Sequence, residues 1–372
     1  MKHLSGNSVR FLLISVCTLL AAAALLLFPM SAADGARRGI GYCLNLLIPS
    51  LFPFMVLSAF LIKSGISSRL GRFLSPVTRF LFRLPGCSAA AIFMSLIGGY
   101  PVGARAIAAL YAQNDISEKE AQRMLCFCVN SGPAFVISTV GGMMLGDLRA
   151  GLILFASQIL ASLLLGIACR FTLWEPPSDR RESAKAEPSS ALIASAADAS
   201  RGMASMCAFV ILFAVLVSVL IQSGLSDAFS RLLLKAGFPY AAASSLLSVL
   251  LEVTGGCMDA VVAGAPLLFL SFAIGWGGLC VHFQVLSAAA NVRISRLRFT
   301  LFRLLHGLCA AFLTNLFLRM FPVTVSVFSS TDQTLSGRLS GSAPAACALF
   351  LLCMAFLLTL QKFPVLRKRN SK

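Results

Sequence analysis

Charge is scarce in this chain. Asp, Glu, Lys and Arg make up 12% of its 372 residues, against 58% hydrophobic residues and a mean hydropathy of +0.86. That balance excludes an ordinary soluble domain and leaves an all-α polytopic membrane protein. No G-x-x-x-x-G-K-[ST] loop, G-x-S-x-G elbow or H-E-x-x-H pair occurs, so nothing supports ATP-driven transport by this chain alone or these hydrolase chemistries. No nucleophile, base and orienting group can be assembled, which argues against an enzyme. Cysteines such as Cys17, Cys43, Cys207, Cys309, Cys347 and Cys353 lie inside apolar segments as small hydrophobes and imply no disulfide framework. Cys126-Phe127-Cys128 has metal-ligand spacing but no second ligand pair nearby, so neither metal nor cofactor is expected. The net charge of +17 comes from short basic clusters between apolar segments, a pattern that encodes membrane topology rather than nucleic-acid binding.

What the chain does have is one intramembrane pattern twice. Leu61-Ile62-Lys63-Ser64-Gly65 returns as Leu220-Ile221-Gln222-Ser223-Gly224. Gly98-Gly99-Tyr100-Pro101-Val102-Gly103 is answered by Glu252-Val253-Thr254-Gly255-Gly256, and Asn130-Ser131-Gly132-Pro133 by Gly275-Trp276-Gly277-Gly278. Broken helices at matching places in two halves point to a transporter's binding site.

Phe11 to Met30 is uncharged over about 20 residues, enough to span a bilayer; a retained first span is favoured over a signal peptide. A second span runs from about Tyr42 to Ile62. Arg69, Arg72, Arg79 and Arg83 then punctuate an amphipathic interfacial helix. Cys87 to Gln113, broken at Gly98 to Gly103, has arms too short to cross and reads as a re-entrant hairpin. Ser117-Glu118-Lys119-Glu120 is a capping box that starts a helix broken at Asn130 to Pro133, and Leu148 to Cys169 spans again. The second half repeats the order: a span over Met203 to Gln222, an amphipathic piece from Asp227 to Ala236, and a hairpin from Pro239 to Ala263 broken at Glu252 to Gly256. A broken helix from Pro266 to Ala290 and a span from Thr300 to Phe321 complete it, and Ala345 to Leu360 makes a last crossing. The division is then residues 1–40 for the first helix and outer loop, 41–171 and 203–322 for the two repeats, 172–202 for a polar cytoplasmic linker, and 323–372 for an outer loop, last span and basic tail. With about eight spans, two hairpins and both termini cytoplasmic, most of the 31 Lys and Arg fall inside. Each half crosses an odd number of times, so the halves are inverted repeats.

The breaks carry the candidate chemistry, because helix ends inside a membrane leave amides and carbonyls that need partners. Gly99, Tyr100, Pro101 and Gly103 open a half-helix whose amides, with Arg105 in its first turn, suit a carboxylate or phosphate; pairing with an acid or snorkelling is the other reading of Arg105. Glu252, at the second hairpin tip, is read as a coupling proton or cation site, with a structural pair to Arg105 as the alternative. Thr254, Gly255 and Gly256 add a hydroxyl and amides beside it. Asn130, Ser131 and Gly132 offer polar contacts at the first broken helix. Trp276 could stack on an aromatic ligand or sit in the interfacial belt. His282 and Gln284 are candidate coupling groups; His306 and Asn315 are weaker ones. The glycines are read as belonging to the breaks rather than to helix-packing motifs.

The block Gly98 to Ala104, the Ile116 to Ala121 helix start, Asn130-Ser131-Gly132-Pro133, Thr139-Val140-Gly141 and Leu251 to Gly256 resemble the YlbJ (SpoVV) sporulation integral membrane proteins over about residues 40 to 320. The resemblance implies two Gate, or nucleoside-recognition, domains, with inverted repeats similar to those of concentrative nucleoside transporters. It implies movement of a small organic anion, dipicolinic acid, from the mother cell across the outer forespore membrane. It also implies a bacterial membrane location, with a homo-oligomer or other sporulation membrane proteins as further partners. A nucleoside or other small-solute transporter, or a non-transporting sporulation scaffold, are the alternatives.

Overall fold

The computed structural model describes residues 6–172 and 188–323. Among the described residues the chain is helical, with no strand. The crossing expected over 345–360 lies outside them, as do residues 173–187 of the expected linker.

After α1 (Gly6–Leu27), α2 (Pro29–Tyr42) passes through a π-turn at Cys43–Leu47 into α3 (Ile48–Lys63). The turn lies just ahead of Pro49 and Pro53, where widened pitch accommodates missing amide donors. Gly65, at φ +78°, reverses the chain into α4 (Ile66–Phe82), the expected amphipathic helix, with Phe73 and Phe80 on its exposed side. The first hairpin is α5 (Ser88–Ile97) and α6 (Tyr100–Ala112). In the predicted capping box the Ser117 hydroxyl accepts from the Glu120 amide at 3.3 Å, and the Glu120 carboxylate accepts from the Ser117 amide at 2.7 Å. That box starts α7 (Glu118–Leu125). The break that follows is longer than the Asn130 to Pro133 motif, running from Cys126 to Pro133 before the chain resumes as a π-helix (Ala134–Met144). Then comes α8 (Leu148–Cys169), capped by the Asp147 carboxylate.

The second half is α9 (Pro188–Gln222), α10 (Leu225–Lys235), the hairpin α11 (Tyr240–Leu251) and α12 (Val253–Val262), the broken helix α13 (Leu267–Trp276) and α14 (Gly278–Ala288), and α15 (Arg296–Met320). Residues 188–202, placed in the linker by their polarity, are instead the opening turns of α9. Ser and Ala dominate that stretch; their small side chains let it lie against α3, where the Lys63 ammonium donates to the Ala194 carbonyl at 3.2 Å.

Five stretches among the described residues are long and apolar enough to cross a membrane: Pro29–Lys63, Leu148–Cys169, Ser190–Gln222, Leu267–Ala288 and Arg296–Met320. Large apolar side chains such as Leu212 and Phe312 face outward on them, a surface suited to lipid. The packing is reciprocal. α2 and α3 lie on α9, α8 lies on α15, α6 packs on α14 and α12 packs on the π-helix. Each half's returning hairpin arm therefore meets the second arm of the other half's broken helix.

Candidate functional site

α3, α6, α9 and α14 enclose a seam with two cavities along it. One sits at the hairpin tips. Its first-half wall includes Ser50, Gly99, Tyr100, Pro101 and Gly132, and its second-half wall Glu252, Thr254, Cys280 and Gln284. Its volume is about 40 Å³, room for a few waters. A ring-sized solute would need the hairpins to part.

Glycine is required where the tips meet. Gly99 holds φ +85°, and a Cβ on Gly132 would lie 3.1 Å from the Ile97 carbonyl and 3.2 Å from the Gly99 amide, so the first break presses on the hairpin turn. Glu252 is buried, and its carboxylate accepts from the amides of Thr254 at 2.8 Å and Gly255 at 2.6 Å. It caps its own half-helix, where the dipole favours a negative charge. The alternative pairing with Arg105 is not formed.

Arg105 lies one turn beyond Pro101 and turns away from the tips into the second cavity, of about 290 Å³, which it lines with Ser58, Lys63, Asp198 and Asn291. Its guanidinium donates to the Asp198 carbonyl at 2.6 Å and packs on Gly202. The Asp198 carboxylate pairs with Lys63 and Arg201. Three cations and one carboxylate thus meet at this end of the seam.

The other candidates are spread around the tips. The Asn130 amide donates to the Phe127 carbonyl and the Ser162 hydroxyl at 3.1 Å each and to the Ser95 hydroxyl at 3.3 Å, while its own buried oxygen takes no hydrogen bond among the described residues. Ser131 lies beside the Tyr100 hydroxyl, which donates to the Ile274 carbonyl at 2.6 Å. Gly103 faces the Cys128 carbonyl and Gly256 faces Val249, so both serve close packing within the half rather than the cavity wall. Gly255 contributes its amide to Glu252. Trp276 is buried; its indole donates to the Leu250 carbonyl at 3.2 Å and its ring lies 4.5 Å from that of His282. It therefore ties the second broken helix to the second hairpin, in neither an interfacial belt nor the cavity wall. His282, held to the Gly278 carbonyl at 2.8 Å and edge-on to Phe299, stands behind the cavity. Gln284 lines it and donates to the Cys280 sulfur at 3.2 Å.

Sequence reasoning missed Arg303. The charge pattern groups it with the basic residues that mark topology, yet its guanidinium is buried in α15 and donates to the carbonyls of Val129 and Gly275. Arg296 and Arg298 precede it in the same helix, so no local signal set it apart from them.

The family model Gate, described as nucleoside recognition, matches residues 45–148, from the π-turn between α2 and α3 through the hairpin and break to the start of α8. Over 334 residues the chain is 27% identical to the sporulation integral membrane protein YlbJ of Bacillus subtilis (strain 168), covering 82% of each chain. The chain is thus similar to that sporulation integral membrane protein over most of its length. A solved structure of CNTnw in an inward-facing substrate-bound state aligns with 84% of this chain and 87% of its own, at 15% identity and a TM-score of 0.38. The segment matched by Gate supplies the whole first-half wall of the tip cavity.

Proposed function

We propose that this YlbJ-like protein carries a small organic anion, dipicolinic acid, from the mother cell across the outer forespore membrane, and that it is a transporter rather than an enzyme or scaffold. The observation that carries the reading is the convergence of both hairpin tips on one small cavity, with a larger, basic cavity next along the same seam. Paired half-helices from two repeats around a shared point suit alternating access. In this reading the anion first meets Arg105 and Lys63, then passes to the tips when the hairpins part. There Thr254, Gln284 and the half-helix amides of Gly99 and Tyr100 receive it, with Asn130, Ser131 and Gly132 shaping the first break and Glu252 serving as the coupling group. The basic cavity lies at the cytoplasmic end, where positive charge and both termini are placed by the distribution of Lys and Arg.

A nucleoside is the second reading. It is favoured by the description of the Gate family and by the neutral polar groups Ser50, Thr254 and Gln284 at the tips. Flux into proteoliposomes separates the two. Wild type is expected to accumulate dipicolinate and not uridine, Arg105→Ala to lose at least tenfold in dipicolinate flux, and Glu252→Gln to retain flux without its response to a pH gradient. Uridine uptake unaffected by Arg105→Ala would establish the nucleoside reading; folded wild type that moves neither solute under any gradient would leave the scaffold.

A further inference from the structure

Arg303 is 1% exposed. Among the described residues, each of its guanidinium hydrogen bonds ends on a neutral group. Nη1 donates to the Val129 carbonyl and to His306 Nδ1 at 3.1 Å, Nη2 donates to the Gly275 carbonyl, and Nε reaches the Trp276 carbonyl at 3.5 Å. Since His306 Nδ1 accepts, its proton sits on Nε2, which donates to the Gln158 carbonyl at 3.2 Å. The ring therefore adds no second charge.

The carbonyls have a common origin. Gly275 and Trp276 end α13, where Gly277 at φ +80° turns the chain and removes the next amide partners. Val129 lies in the unwound segment of the first break. Both are the electronegative ends that helix breaks expose, and unwound carbonyls with half-helix C-termini are the ligands by which transporters hold monovalent cations. The same guanidinium carbon lies 5.7 Å from the centroid of the Tyr100 ring, and Tyr100 forms part of the tip cavity.

We infer that Arg303 is a resident cation: its guanidinium occupies the carbonyl cluster where the two helix breaks meet, does there what a bound metal ion would otherwise do, and positions Tyr100 at the tips. It is a positioning residue. Two consequences follow from the chemistry. The wild-type junction takes no sodium, because its ligands are already used. Truncating the side chain exposes three carbonyls and space for water, which together make a site that a small cation can enter.

The test is thermal unfolding of the purified full-length chain in detergent, titrated with NaCl, KCl or LiCl against choline chloride at equal ionic strength. Wild type is expected to show no sodium-specific shift. Arg303→Ala is expected to unfold at lower temperature in choline chloride and to recover with a saturable, sodium-specific rise in Tm. Arg303→Lys should lie between them in choline chloride and show no sodium response, since an ammonium keeps the charge without the fork. A sodium-specific rise in wild type overturns the inference, as does folded Arg303→Ala that responds to none of the three metal ions. Should Arg303→Ala fail to fold, Arg303→Gln, which loses the charge and keeps an amide donor, is titrated in its place under the same criterion. The readout is stability, so it stands or falls independently of whether dipicolinate is the solute.

Discussion

At the residue scale Glu252 does two jobs with one carboxylate, closing the N-terminus of α12 and forming part of the tip cavity. Capping explains how a carboxylate is tolerated at a buried point: two amides and the helix dipole act on it without any cation. Glu252→Ala removes the cap and should cost about 0.5–2 kcal/mol, read as a lower Tm in detergent. Glu252→Gln keeps one acceptor oxygen and should lose less. A Gln variant as unstable as the Ala variant would mean that the full charge, not the cap, holds this turn. Glu252 was legible in the sequence because an acid in an apolar segment is costly wherever it lacks a compensating partner, and the paired glycines beside it mark a helix break that supplies one. Arg303 was not, because nothing local distinguishes a buried arginine from one marking the cytoplasmic end of a span; its partners lie 174 and 28 positions away.

Among the elements, hairpins and broken helices could be read from arm length and from glycine, both local properties. The roles of individual glycines could not. A Cβ on Gly275 would lie 2.5 Å from the Gly307 Cα, and one on Gly141 would lie 2.6 Å from the Gly151 Cα. These are helix contacts between segments far apart or separated by a turn, and they show that glycines near the breaks also set how closely α13 meets α15 and how closely the π-helix meets α8. Gly275→Ala should therefore force α13 off α15, at about 1–3 kcal/mol, and withdraw the Gly275 carbonyl from Arg303. Thermal unfolding of this variant beside Gly264→Ala separates contact from backbone freedom. Gly264 has φ +75° and open space around its Cβ position, so its loss reflects backbone strain alone. The larger Tm fall is expected for Gly275→Ala. The opening of α9 misled for a related reason: Asp198 and Arg201 read as linker polarity, and only packing against α3 shows that Asp198 is held by Lys63.

For the whole molecule, the reciprocal packing of α6 on α14 and of α12 on the π-helix makes the seam a joint property of both halves, so a test of the proposed transport can be applied at one end of it. Asp198 is the place to apply it. Among the described residues it is the only carboxylate lining the basic cavity, and its side chain engages Lys63 and Arg201 while its carbonyl accepts from Arg105. Asp198→Asn leaves the carbonyl and the shape of α9 in place, removes one negative charge, and makes the cavity more attractive to a dianion. The lost ion pairs are partly exposed, with the Asp198 side chain 30% accessible, so stability should change by no more than about 1 kcal/mol. Under the proposed function, the KM for dipicolinate should fall by about fivefold at low salt, the equivalent of roughly 1 kcal/mol, and the gain should shrink at high ionic strength as the added charge is screened. Uridine, carrying no charge, should show no such salt-dependent shift. A KM for dipicolinate that rises in Asp198→Asn would instead make Asp198 the group that orders Lys63 and Arg105 for binding, so that the carboxylate acts as part of the anion's receptor rather than as its competitor.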